Sequence, residues 1–251
     1  MQNRYAGDVG DFLKLGLLRA LCEHEADSLR LGVNWYLTSD ESHNSDGKHI
    51  GYLREGNCHG EALERCDPDL FARLRALVRA GNRSVMELEQ NGALPSETVC
   101  FAEPLTWPHR CQERGGWHQR ALLSLATVDL IFADPDNGIR DLSAGSKIHK
   151  YALLDELQDY SKRGQSLVVY HHADRSVGGA REQMWRRLDQ LQQATGIEPL
   201  GGVIGHRGSC RFFLVVPSQA HRELLRNRLI SYDQSWRPHA EFVSMQDRSP
   251  V

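Results

Sequence analysis

The chain has 251 residues, 40% of them hydrophobic and 25% charged, with a formal net charge of −3. This is the profile of an ordinary folded domain, and a single α/β domain can occupy the whole length. It excludes a disordered chain, a collagen-like chain and a small disulfide scaffold. Thirty basic residues stand against 33 acidic ones, so there is no chain-wide basic footprint, and only five of the basic residues are Lys. The charge is uneven: residues 173–251 carry 11 basic and 8 acidic side chains, against 19 and 25 in residues 1–172.

Residues 1–10 (MQNRYAGDVG) are polar, and no run of about 18 apolar residues occurs. The expectation is a cytoplasmic chain that does not enter a membrane. Six cysteines (Cys22, Cys58, Cys66, Cys100, Cys111, Cys210) lie far apart. In a reducing compartment they are free thiols, and the spacing of Cys58-His59 and Cys66 fits no standard zinc motif.

Residues 11–25 carry apolar side chains at helical spacing, with Asp11 as the expected cap. Residues 31–38 (LGVNWYLT) read as a buried strand, followed by the very polar loop 39–48 (SDESHNSDGK). Asp67-Pro68 opens a helix over 69–80. A strand at 98–102 and a helix at 117–126 lead to 128–133 (VDLIFA), the most continuous apolar strand. A helix at 150–163, a strand at 166–170 and an Arg-rich helix at 180–194 follow. Strands at 197–204 and 210–216 flank a short loop, then come a helix at 219–230 and a terminal strand at 240–244. Alternating strands and helices predict a Rossmann-like, doubly wound, mostly parallel sheet. The short loop at 205–209 predicts an antiparallel strand near the C-terminus.

In such sheets ligands sit beyond the carboxyl ends of the strands. The candidates there are Ser39, Asp40 and Glu41, then Glu103, then Asp134-Pro135-Asp136-Asn137-Gly138, and finally His171-His172. A carboxylate ending a buried strand can accept a proton or hold a hard cation. Pro135 keeps the residue before it extended, although D-P-D-N-G is also a turn by composition. Two successive histidines on a strand point to opposite sides, one toward the crevice and one under a helix. The glycines of residues 5–14 (YAGDVGDFLK) suit either an anion site at a helix start or a simple cap. Asp40, Glu41, His43 and Asp46 form either a cation site or a solvated loop.

Taken in order, these segments resemble the bacterial large-subunit ribosomal RNA adenine-N6 methyltransferase family of the RlmJ type. That family opens with an H-A-G-N-x-A-D-V-L-K-like stretch before a helix, where this chain has Tyr5-Ala6-Gly7-Asp8-Val9-Gly10-Asp11-Phe12-Leu13-Lys14. Its D-P-P-Y ends an apolar strand, as Asp134-Pro135-Asp136-Asn137 does here, and its W-Y-P corresponds to Tyr170-His171-His172. A closing glycine, serine and hydrophobic-strand pattern corresponds to residues 205–217. The resemblance implies a class I methyltransferase fold, with the family's inserted helical subdomain shortened to a small insertion around 66–92, and S-adenosylmethionine as cofactor. It places Asp134 and Asn137 at the catalytic positions, with Gly7, Lys14, Ser39, Asp40, Glu103 and Asp134 around the cofactor. Tyr5, Asp136, His171 and Arg175 would face a substrate that is a nucleic acid or nucleotide.

Two departures open other readings. Asp136 and Asn137 replace the second Pro and the Tyr of D-P-P-Y, adding a carboxylate where the family has a stacking ring. That carboxylate, with Asp134, Asp40, Glu41 and His171, suits a Mg²⁺- or Mn²⁺-dependent phosphodiesterase or nuclease. The glycine-rich turn after the first strand is also missing, which suits a methyltransferase fold kept for binding alone. For a nucleic-acid substrate, Arg175, Arg181, Arg186, Arg187, His206, Arg207 and Arg211 are the candidate phosphate contacts.

Overall fold

The computed structural model describes residues 1–23, 27–41, 47–105, 111–140, 147–174 and 176–248. Helix α1 (Val9–Cys22) leads into strand β1 (Leu31–Asn34). Helices α2 (Cys58–Glu64), α3 (Pro68–Ala80) and α4 (Val85–Gln90) precede β2 (Val99–Phe101). Then come α5 (Cys111–Ser124), β3 (Leu130–Ala133), β4 (Gly138–Arg140), β5 (Tyr151–Leu153), α6 (Leu154–Lys162) and β6 (Ser166–His172). The chain continues through α7 (Gly179–Thr195), β7 (Gly201–Gly205), β8 (Arg211–Val216), α8 (Arg222–Trp236) and β9 (Ala240–Ser244).

Seven strands form one sheet in the order β2-β1-β3-β6-β8-β7-β9. The first four are parallel, as buried apolar runs such as LIFA in β3 dictate. From β6 onward each neighbouring pair is antiparallel. The fold is the expected Rossmann-like α/β sheet, with two strands, β8 and β9, running against the rest. One face is covered by α1, α3 and α8, through Phe12, Leu17, Phe71, Leu74 and Leu229. The other is covered by α5, α6 and α7, through Trp117, Leu157, Tyr160, Leu188 and Leu191. None of the described helices is long and apolar enough to cross a membrane.

Several boundaries differ from the sequence reading for physical reasons. Helix α1 begins two residues earlier, because the Asp8 side chain rather than Asp11 caps it, accepting from the Asp11 N–H at 3.0 Å. Strand β1 ends at Asn34, where Tyr36 takes a φ of +43° and turns the backbone without a glycine. The helix expected over 150–163 is a short 3₁₀ turn, strand β5 and then α6. Strand β6 runs on through both histidines, because β8 pairs with it as far as His172. The helix predicted from Asp67-Pro68 is present, with Asp67 as its cap and Gly81 closing it at a φ of +76°.

Gly16 lies in the middle of α1, where glycine costs about 1 kcal/mol of helix propensity relative to alanine. A Cβ there would lie 2.1 Å from Cη2 of Trp236 on α8, so the two helices meet because the side chain is absent. Gly16→Ala therefore destabilises the chain by about 1–3 kcal/mol through overpacking, despite the better propensity. Thermal unfolding followed by circular dichroism should show a lower Tm; a raised Tm would show that α1 and α8 do not meet at this point.

Candidate functional site

The site is built around the start of α1. Gly7 turns the chain at a φ of +80° and its N–H donates to Asp11 Oδ2 at 3.0 Å. Because Asp8 does the capping, the Asp11 carboxylate is free to pair with Lys14 one turn on, at 2.6 Å. The same ammonium reaches Asp134 Oδ2 at 2.8 Å, at the end of β3. All three side chains are buried, at 3–4% exposure, and the rings of Trp35 and Phe132 lie 5.2 and 5.9 Å from the ammonium. Burial opposes the charge on Lys14, but the two carboxylates outweigh it and hold the lysine above its ordinary range. Burial lifts Asp11 and Asp134 above the usual carboxylate range, against the pull of Lys14. Burial thus makes both acids hold a proton more readily than a solvent-exposed carboxylate.

The D-P-D-N-G segment is both turn and site. Gly138 has a φ of +121°, and a Cβ there would lie 2.1 Å from Nδ1 of His171. Asp136 Oδ2 accepts from Gln2 Nε2 at 2.9 Å and pairs with Lys150 Nζ at 3.0 Å. Lys150 also pairs with Glu41 at 2.6 Å. Burial pushes Asp136 up, but the Met1 ammonium and Lys150 outweigh it and hold the carboxyl below its usual range. The Met1 nitrogen donates to the carbonyls of Tyr36 at 3.2 Å and Asp134 at 3.0 Å, bridging the ends of β1 and β3. Thr38 N donates to Met1 O at 2.9 Å and Glu41 N to Gln2 Oε1 at 3.0 Å.

The histidines divide as strand alternation requires. His171 is the buried one: it stacks on Phe212 and its Nδ1 accepts from the Ile139 N–H at 3.0 Å. Burial lowers its pKa to about 3, so the ring is neutral. His172 faces the crevice, with its Nδ1 3.2 Å from the Tyr170 hydroxyl. Register places Arg211 of β8 opposite His172, so the reversed strand delivers a cation to the same edge.

These groups line a pocket of about 250 Å³. It brings together Tyr5, Lys14, Asp134, Asp136, Asn137, His172 and Arg211 of the candidates, and adds Asp8, Asp11 and Tyr170. Gly7 supports the pocket from beneath through Asp11. His171 does not line it, whereas its neighbour His172 does. Ser39 and Asp40 are exposed, Asp40 accepting from the Arg4 N–H at 3.2 Å. Glu103 lies on the surface in an ion pair with Arg120, which holds its carboxyl below the usual range. Arg175, His43 and Asp46 lie outside the described residues. Arg181 pairs with Glu241, Arg186 binds the Val177 carbonyl, Arg187 binds Gln190, and Arg207 donates to His239. Among the described residues no group of three or more His, Cys, Asp or Glu side chains is arranged to hold a metal ion. No protein-family model, curated protein or solved structure matches the chain.

Sequence reasoning missed Lys150, Gln2 and Met1 as parts of this site. A signal for Lys150 existed, because lysine is scarce in this chain and two of its five lysines sit in buried ion pairs here.

Two outcomes are expected. Lys14→Met leaves two buried carboxylates facing each other and costs about 3–5 kcal/mol, measurable by denaturant unfolding; a loss under 1 kcal/mol would show the triad to be dispensable. His171→Phe keeps a ring on Phe212 but strands the Ile139 N–H, costing about 1–3 kcal/mol. The unfolded chain binds a proton near the ordinary histidine pKa of 6.5, whereas folded His171 resists until about 3. Wild-type stability therefore declines as pH falls from 6.5 toward 3, and His171→Phe removes that part of the decline. An unchanged slope would place the titration elsewhere.

Proposed function

We propose that this chain is an S-adenosylmethionine-dependent methyltransferase whose acceptor is an amino nitrogen presented to Asp134. The observation that carries this reading is the Asp134 carboxylate at the end of β3, lifted in pKa and clamped by Lys14, on the wall of the pocket beyond the parallel strands. The pocket's donor set fits the cationic end of that cofactor: Asp8, Asp11 and Asp134 stand together at the α1 start, and Tyr5 and Tyr170 are beside them. When bound, the cofactor supplies a methyl group already activated for transfer. The chain's part is positioning and proton handling. Asp134 accepts the proton that the amino nitrogen loses, Lys14 holds the carboxylate in place, and Asp11 shares the resulting change of charge. Asp8 and Asp11 are the residues that would hold the cationic end.

A second reading, a methyltransferase fold kept for binding, is favoured by the crevice between β1 and β3. That is the switch point where such sheets seat a nucleoside, and here Met1 and Gln2 fill it with hydrogen bonds to both strand ends. The phosphodiesterase reading has no comparable support, since Asp134 and Asp136 each face an ammonium group. Of the described candidate phosphate contacts, Arg181, Arg186, Arg187 and Arg207 bond to other parts of the chain.

Isothermal titration with S-adenosylmethionine separates the two readings. Methyl transfer requires binding in the wild-type chain, with Asp134→Asn retaining binding and losing about 10²–10⁴-fold in turnover on any acceptor found. No heat at millimolar cofactor would remove the methyltransferase reading and leave the binding one.

A further inference from the structure

Arg211 lies on the start of α1, where a Cβ at Gly10 would coincide with its Nη1, so the glycine makes room for the guanidinium. The positive end of a helix favours an anion rather than a cation. Nε and Nη2 of Arg211 donate to Ser209 O at 3.1 Å and Ser209 Oγ at 3.0 Å. Nη1 makes no hydrogen bond among the described residues, and the one carboxylate oxygen within reach, Asp8 Oδ1, stands 4.0 Å away. Asp8 is in the matching condition: Oδ1 accepts from the Asp11 N–H at 3.0 Å, and Oδ2 has no partner among the described residues. The side chains of Arg211 and Asp8 are only 7% and 10% exposed, yet both line the pocket. Neither Arg211 Nη1 nor Asp8 Oδ2 is one of the sealed polar atoms that lack a partner, so both open on the pocket.

A buried ion pair returns its desolvation cost only when hydrogen bonds of good geometry satisfy both charges. At 4.0 Å, with no hydrogen bond between them, Arg211 and Asp8 forgo that return. The neighbouring charges are already taken: Lys14 lies between Asp11 and Asp134, and Asp136 holds Gln2 and Lys150. A ligand bearing only a carboxylate would satisfy Arg211 and face the charge of Asp8, and a simple amine would do the reverse. A head group with both charges on one carbon meets both partners, its carboxylate accepting from Nη1 while its ammonium donates to Oδ2. Tyr5, Tyr170 and Met1 line the same pocket and suit an apolar or thioether side chain.

We infer that this pocket binds the head group of an α-amino acid, with its carboxylate on Arg211 and its ammonium on Asp8. The inference does not rest on methyl transfer. A free amino acid and the methionyl end of S-adenosylmethionine carry the same head group, and competition between them separates the two sources.

L-Methionine is the probe, titrated calorimetrically into the full chain with no nucleoside present. N-acetyl-L-methionine lacks the ammonium charge and L-methioninamide lacks the carboxylate. Each should bind at least about tenfold more weakly than methionine, a difference of about 1.4 kcal/mol. Asp8→Asn removes the charge and keeps a good helix cap, so it should weaken methionine at least about tenfold and leave N-acetyl-L-methionine unchanged. Arg211→Gln should weaken methionine by a similar factor and leave the amide unchanged. Equal affinity for methionine and either analogue would overturn the inference, and so would absent methionine binding at tens of millimolar. The analogue comparison uses only the wild-type chain, so it decides the matter even if a variant fails to fold. Displacement of methionine by S-adenosylmethionine, but not by 5′-methylthioadenosine, which lacks the head group, upholds the site and assigns it to the cofactor. If S-adenosylmethionine does not displace bound methionine, the methyltransferase reading falls and the site stands as one for a free amino acid. Displacement by 5′-methylthioadenosine as readily as by S-adenosylmethionine would show that the head group contributes nothing, and would overturn the inference.

Discussion

One buried ammonium organises this molecule. Lys14 joins the first turn of α1 to the end of β3, elements 120 residues apart in the chain. Without it the start of α1 would be repelled from the sheet edge by its own acids, Asp8 and Asp11. With it, the glycine turn at Gly7, the cap at Asp8 and the strand end at Asp134 become walls of one pocket. A buried pair of this kind contributes little net stability against an apolar alternative, but it strongly penalises every arrangement that separates its members. The site is therefore specified by what its absence would cost.

Much of this is legible in residue order, and the failures have definite causes. Continuous apolar runs mark buried strands, so the polar residues just after them, Asp134 to Asn137, fall at the crevice by pattern alone. Pattern does not say which partner a charged residue takes. Asp11 reads as a helix cap because it precedes the periodic stretch, yet Asp8 does that work and Asp11 turns inward. Alternation says that His171 and His172 face opposite ways, but only pairing with β8 decides which of them sees the pocket. Lys150 disappears into an apparent helix because helical spacing continues across a 3₁₀ turn and a three-residue strand. Glu103 stands at the expected strand end, but its carboxylate turns outward to Arg120.

The first two residues have an unexpected place. In open α/β sheets the two βα turns flanking the switch point leave a crevice, and glycines usually line it so that a ligand backbone can approach. Here Trp35 and Tyr36 fill both flanks of the β1 end, one packed into each core layer. Met1 and Gln2 close what remains. The space that survives lies on the other side of β3, between it and the reversed hairpin, and it is correspondingly small. The architecture is that of a Rossmann-like sheet whose opening lies over the ends of β3, β6 and β8.

The pairing of β6 with β8 has a consequence for how this chain can vary over time. Tyr170 faces Phe213, His171 faces Phe212 and His172 faces Arg211. Because side chains alternate with a period of two and β8 is buried on both faces, a single-residue insertion or deletion inside it would move Phe212 from one core layer to the other and carry Arg211 to the opposite face. Point changes at the pocket rim can accumulate one at a time, each tested by selection on its own. Length changes in these two strands cannot, so the pocket rim can vary while the ruler formed by β6 and β8 keeps its length.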